Sequence, residues 1–362
     1  MKIGMIGHKR IPGREGGIET VVEELSIKLV NSGHDVTVYN RSKKGIKKIK
    51  KYKGINVITI PTIERKNTDA IVYSFFASIC ALFKKYDVLH YHGIGPSVMI
   101  FLPHLFKKKI IVTVHGLNYK TPKWKGIGSK VMKFGEKMVA KYADEIIVLS
   151  RNQQDYFLKK YNRKTNYIPN GVSISDILKP NSIENKWGLS KDKYILFLSR
   201  IVPGKGVEYL IDAFQMLDTN LKLVIAGGTE YVTDFYREIC TKVAKDNRIK
   251  MVGFVSGNIL NELYSNARLF VFPSEAEGMP VCLLEALSFN TPCLVSDIPE
   301  NKEVGKEYVN YFKSKDINDL KMQMEKQLKK KYEKNSRDYV KTNYSWDNIT
   351  KSTIELYEKV KK

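Results

Sequence analysis

Four stretches of this sequence bring together residue types that suit phosphate and sugar chemistry. The first is SRIVPGKG at 199–206, where Arg200 and Lys205 stand five apart on a glycine-containing loop. Arg offers a planar fork and Lys a point charge, so the pair can grip a diphosphate; the competing reading is two ordinary surface cations. The second is FPSEAEGMPVCLLEA at 272–286. Pro280 suits the first position of a helix, and the N–H groups just after it can face a phosphate. Glu285 then falls more than a turn inside an apolar helix, where a carboxylate needs a partner, either a ribose diol or a protein group. The third is GHKRIPGREGGIET at 7–20, which has neither GxGxxG nor a Walker pattern. Gly16 and Gly17 just before a helix let backbone N–H groups approach an anion, or simply make a tight turn. The fourth is IIVTVHG, where His115 ends a buried-type strand and reads as structural or catalytic. His90 and His92, one strand earlier, read as rim or core packing.

Ligands in open α/β sheets collect at the carboxyl ends of strands, and these four stretches follow strand-like runs. KIGMI, DVTVYN, INVITI, DVLHYH, KIIVTVH and EIIVLS alternate with helix-length segments, which predicts a parallel sheet with helices on both faces. The alternation pauses at YIPNGVSISDILKP, 167–180, whose Pro, Asn, Gly and Ser are turn chemistry, and the hinge is placed there. It resumes with YILFLS, LKLVIAGG, RIKMVGFV, ARLFVFPS and PCLVSD, a second α/β unit. The division is 1–170, 171–344 and a final helix, 345–362, with Ser345 as its N-cap and Trp346 as an anchor that packs the helix back on the first domain.

At 362 residues, two cores are expected. Of the net charge of +23, residues 1–170 carry +20, with 32 Lys and Arg against 12 Asp and Glu, and all six histidines lie there too. Such an excess attracts anionic lipid, nucleic acid or a phosphorylated substrate. Recognition-helix, zinc-finger and ribonucleoprotein patterns are lacking, which disfavours nucleic acid. Cys80, Cys240, Cys282 and Cys293 form no CxxC pair and sit in apolar runs, as thiols of the cytosol would. No signal-type segment opens the sequence, and the longest apolar run, 71–83, is too short to span a bilayer.

Together these residues resemble a family 4 glycosyltransferase of the GT-B fold, of the type that builds bacterial surface polysaccharides such as capsule, exopolysaccharide and lipopolysaccharide. The resemblance rests on Gly16-Gly17, the HG at His115, PNGV at 169–172, SRxxxxKG at 199–206 and the Glu-x7-Glu of Glu277 and Glu285. It implies two Rossmann-like doubly wound parallel-sheet domains facing across a cleft, and a cytoplasmic enzyme, peripheral on the inner face of the membrane, that retains anomeric configuration. By the resemblance, Arg200 and Lys205 bind the donor diphosphate and Glu285 the ribose, while Glu277 and His115 contact the transferred sugar. Gly16, Gly17 and the backbone of Met279, Val281 and Cys282 complete the phosphate cradle, and the backbone of Phe254 and Val255 meets the base. The donor is a nucleotide-sugar, most simply a UDP-sugar; the acceptor is a glycan carried on polyprenyl diphosphate, and the anionic inner leaflet is a partner. No cofactor or obligate metal is expected, and the sequence has no Asp-x-Asp. The resemblance favours front-face substitution, with double displacement through Glu277 as the alternative. The rival functions are a GT-B sugar-nucleotide epimerase and a non-catalytic basic protein that binds lipid or nucleic acid.

Overall fold

The computed structural model describes residues 1–13, 16–63, 69–117, 126–229, 232–330 and 335–362. Part of the glycine loop, Arg14 and Glu15, lies outside them. The chain divides into two compact units, one formed by Met1–Gly171 with Trp346–Lys362, the other by Val172–Ser345.

The first unit is built on β1 (Lys2–Ile6), β2 (Asp35–Arg41), β3 (Lys51–Tyr52), β4 (Ile55–Ile60), β5 (Val88–His92), β6 (Ile110–Val114), β7 (Glu145–Val148) and β8 (Asn166–Tyr167). They lie in the order β3-β4-β2-β1-β5-β6-β7-β8. Every pairing is parallel except that of β3 with β4. All five residues of β5 and of β6 are buried, the continuous burial of a sheet covered on both faces.

The second unit uses β9 (Tyr194–Leu198), β10 (Lys222–Ala226), β11 (Ile249–Gly253), β12 (Leu269–Phe272), β13 (Cys293–Ser296) and β14 (Asn310–Phe312). The order is β11-β10-β9-β12-β13-β14, all parallel. The helix Val207–Gln215 shows why the segments between strands are helical: it buries Val207, Leu210, Ile211 and Phe214, one stripe at i, i+3, i+4 and i+7. The chain runs β9, β10, β11 to one side of the sheet and returns to β12 on the other. The loops after β9 and β12 therefore part company at the reversal of strand order, where α/β sheets open a crevice for ligands. In the first unit the same reversal falls between β1 and β5.

The helix Trp346–Lys361 belongs to the first unit. It packs on the helix Gly17–Asn31 and on β5. Asp347 pairs with Lys28 at 2.7 Å, Lys359 with Glu145 at 2.7 Å and Lys361 with Asp87 at 3.1 Å. Its Tyr357, fully buried, places its hydroxyl 2.7 Å from His90 Nδ1. Trp346 lies flat enough on Gly171 that a Cβ there would come within 2.5 Å of the indole.

All four cysteines are free thiols; Cys293 is buried and the others are half-buried.

Candidate functional site

In the second unit the loops after β9 and β12 are joined backbone to backbone. Glu275 N–H donates to Gly204 O at 3.0 Å. Gly206, in the left-handed region at φ +71°, begins the helix Val207–Gln215, and a Cβ on it would stand 2.2 Å from Pro273 O. Only glycine fits, so the SRIVPGKG loop has one way to sit against FPSEAEGMP.

That contact delivers Lys205 to Glu277. The ammonium pairs with Glu277 Oε1, which also accepts the Ser274 hydroxyl at 2.6 Å. Both charged side chains are largely withdrawn from solvent, 16% and 12% exposed. Ser274 is held in turn: its carbonyl accepts the Ser296 hydroxyl at 2.5 Å, and Asn301 Nδ2 donates to the Ser296 carbonyl at 3.0 Å. Glu275 beside it is committed elsewhere, to Tyr209 at 2.9 Å and Lys315 at 2.8 Å. Arg200 is exposed, and among the described residues its guanidinium meets no partner.

Pro280 is the N-cap of the helix Val281–Ser288 rather than its first residue, a shift of one position. Its carbonyl takes the N–H groups of Leu283 and Leu284, so Val281 and Cys282 head the helix. Glu285, one turn on, accepts a hydrogen bond from the Tyr264 hydroxyl at 3.0 Å. Tyr264 is 1% exposed and stacks on Phe289 at 5.7 Å. Burial, and then the nearby Glu285 charge, push its phenol well above the usual range, so it remains a donor. The same influences, burial first, raise the Cys282 thiol, which stays neutral. The protein-group alternative for Glu285 is therefore realised in part. At the end of β11, Phe254 is 60% exposed beside the left-handed Gly253. Gly253 O accepts Gly227 N–H at 2.7 Å, which links this turn to the loop after β10.

In the first unit Gly16 and Gly17 open the helix Gly17–Asn31 after β1. Acids of that helix brace the loop: Glu19 Oε1 accepts Lys9 N–H at 3.0 Å and Glu23 Oε2 accepts Gly13 N–H at 3.3 Å. Asn40 takes Ile11 N–H at 2.9 Å, returns a bond to Ile11 O at 2.7 Å and lies 3.0 Å from His8 Nε2.

His115 follows β6, and its Nε2 is 3.1 Å from His92 Nδ1. His92 Nε2 is 3.4 Å from Met5 Sδ. A thioether has no proton to give, so both contacts become hydrogen bonds only when His92 is protonated on Nε2 and accepts from His115 Nε2–H. His115 Nδ1 is then an acceptor. His90 lies 4.1 Å from the His92 ring and is occupied by Tyr357 and Thr113, the latter at 2.7 Å. Burial lowers all four histidines here: His8 and His115 to about 4, His90 to about 3, and His92 well below the ordinary value.

Thus the second unit brings together Lys205 and Glu277, with Met279, Val281, Cys282 and Glu285 following on one loop and helix, while Phe254 and Val255 follow β11, two strands from β9 and three from β12. The first unit places Gly16, Gly17 and His115 at the carboxyl edge of its own sheet. Sequence reasoning missed Tyr264, Ser274, Glu19, Asn40 and the His92–His115 contact. Glu19, three residues after Gly16 in a first helical turn, carried a signal in the text; the others are joined only by tertiary contact.

The comparisons agree with this architecture. The model described as Glycosyltransferase Family 4 matches residues 15–176, and that described as Glycosyl transferases group 1 matches 181–346. An uncharacterized glycosyltransferase of Methanocaldococcus jannaschii is 26% identical, covering 99% of this chain and 98% of its own. The UDP-Gal:alpha-D-GlcNAc-diphosphoundecaprenol alpha-1,3-galactosyltransferase of Escherichia coli is 28% identical over 62% of each chain. Among solved structures, sucrose-phosphate synthase of Thermosynechococcus elongatus superposes with a TM-score of 0.84 at 20% identity, covering 99% of this chain and 98% of that one. Two consecutive family regions, each laid on its own parallel α/β unit, make this chain a member of the family 4 glycosyltransferases of the GT-B fold.

Proposed function

We propose that the enzyme moves a sugar, with retention, from a UDP-sugar to a lipid-linked or glycan acceptor in bacterial surface polysaccharide synthesis. The observation that carries the reading is the Lys205–Glu277 pair at the strand-order reversal of the second unit. The ion pair fixes both side chains before donor arrives. Lys205 and the unengaged Arg200 then meet the diphosphate, and Glu277 turns to the sugar hydroxyls. Glu285, oriented by Tyr264, holds the ribose, and the head of the helix Val281–Ser288 faces a phosphate. The turn at Phe254 and Val255 meets the base. In the first unit Gly16 and Gly17 are assigned to phosphate and His115, through its Nδ1 acceptor, to a sugar hydroxyl.

In the front-face form of the reaction the bond from the anomeric carbon to the diphosphate oxygen breaks and a bond from that carbon to the acceptor oxygen forms on the same face. The acceptor proton passes to the departing phosphate oxygen. Negative charge grows on the leaving diphosphate, and fixed cations lower the barrier by meeting it. The Escherichia coli relative, whose name gives UDP-Gal as donor and a diphosphoundecaprenol-linked sugar as acceptor, supports both substrate classes. Turnover and thermal shift are measured with UDP-, GDP-, ADP- and dTDP-sugars, with and without a lipid-linked acceptor. Lys205→Ala is expected to lower kcat about 10²–10³-fold, the loss typical of one transition-state donor. Acceptor-independent conversion of the donor, or undiminished turnover by the variant, would overturn the reading.

A further inference from the structure

The edge of the first unit opposite its glycine loop carries apolar and cationic groups that the site does not use. Phe83, just beyond the helix Asp69–Leu82, is 83% exposed; Leu105 and Phe106, at the end of the helix Phe101–Leu105, are 70% and 64% exposed. The two helices pack on each other, and Lys108 Nζ donates to Lys84 O at 2.9 Å, so the three apolar tips are held on one edge. Lys84, Lys85, Lys107 and Lys109 are exposed around them, and among the described residues none of the four is ion-paired. Two acids at this edge are already engaged. Asp87 accepts Lys2 N–H at 2.7 Å and meets Lys361 at 3.1 Å, while Asp144 accepts Ile110 N–H at 2.7 Å.

We propose that this edge, Phe83–Lys85 with Leu105–Lys109, docks the enzyme on an anionic bilayer. In the order Phe-Lys-Lys and Leu-Phe-Lys-Lys-Lys, each aromatic tip is followed directly by an ammonium on a long stem. The rings enter the acyl boundary and the lysines stay at the level of the lipid phosphates, as amphipathic side chains do at an interface. An acidic protein would match the charge, but it would offer no apolar layer to three protruding groups. The inference rests on the membrane-borne acceptor of the proposed function and names a surface that holds the enzyme at that membrane. These residues precede β5 and β6, at the amino ends of the strands, whereas the glycine loop and His115 follow their carboxyl ends. Docking here leaves that rim open.

The test is flotation of the full chain with phosphatidylcholine vesicles and with vesicles that also contain phosphatidylglycerol, at about 0.1 M salt, where charge is screened over about 10 Å. The wild type is expected to float with the anionic vesicles and poorly with neutral ones. F83S/F106S is expected to lose flotation, and K85E/K107E/K109E to lose it by at least about fivefold per lysine. UDP-induced thermal shift should be unchanged in both variants, which separates failure of the docking edge from failure of the donor site. Equal flotation of wild type and variants, no flotation of the wild type, or a wild-type dimer split by F83S/F106S would each overturn the proposal; the last would make the partner a second copy.

Discussion

Tyr264 shows how much of the candidate site depends on one buried hydroxyl. It does not touch the ion pair, yet it orients the carboxylate of Glu285. Tyr264→Phe keeps the ring stack and removes the donor, leaving Glu285 less fixed. We expect donor KM to rise about tenfold or more with kcat changed less, and preference for UDP over its 2′-deoxy analogue to shrink; a hydrogen bond to a charged group is worth about 1.5–3 kcal/mol. A variant that lost stability but kept its ribose preference would reduce Tyr264 to packing. His8, His90, His92 and His115 of the first unit give a second expectation. Their folded pKa values lie below the ordinary 6.5, so under mildly acid conditions the unfolded chain binds protons that the folded chain refuses. Stability is present in full above pH 6.5 and falls as pH drops toward about 4, each histidine adding a slope approaching about 1.4 kcal/mol per pH unit. Denaturant midpoints at pH 7.5, 6 and 5 check this, and a flat profile would contradict it. The charged loops were legible because Arg200 and Lys205, or Glu277 and Glu285, are close in sequence. Tyr264 and Glu285 are 21 residues apart and Lys205 and Glu277 are 72 apart, so their pairing is set by the sheet and no local pattern announces it.

At the scale of elements, the parallel α/β class was readable because strands buried on both faces appear as unbroken apolar runs, such as YILFL and LFVF. Strand order was not, since every strand of a parallel sheet looks alike to its neighbours. The two glycines of the loop after β9 show what the sheet demands of a connection. Gly206 and Gly204 both have positive φ, +71° and +86°, but a Cβ at Gly206 meets Pro273 O and one at Gly204 meets nothing within 4 Å. Gly204→Ala should cost about 1–2 kcal/mol, the backbone strain alone. Gly206→Ala adds a clash with a carbonyl that cannot rotate away, so it should cost more and also part Lys205 from Glu277. Comparing the two variants by melting temperature and by UDP affinity tests this; equal losses would mean that the loops are not braced through Gly206.

On the scale of the whole molecule, the first unit is assembled from two separated pieces of chain. Removing residues 346–362 exposes His90, β5 and one side of the helix Gly17–Asn31, and deletes three ion pairs. We expect the truncated chain to show a first unit that unfolds at markedly lower denaturant while the second, Val172–Ser345, keeps its transition; an unchanged profile would mean that the helix is dispensable. The seat of Trp346 on Gly171 has a further consequence, for synthesis. A ribosome delivers Met1–Gly171 first, but the tyrosine that fills the pocket beside His90 emerges only after Val172–Ser345 has been made. The unit that starts first is thus finished last, and in the interval its exposed apolar groove is open to chaperones.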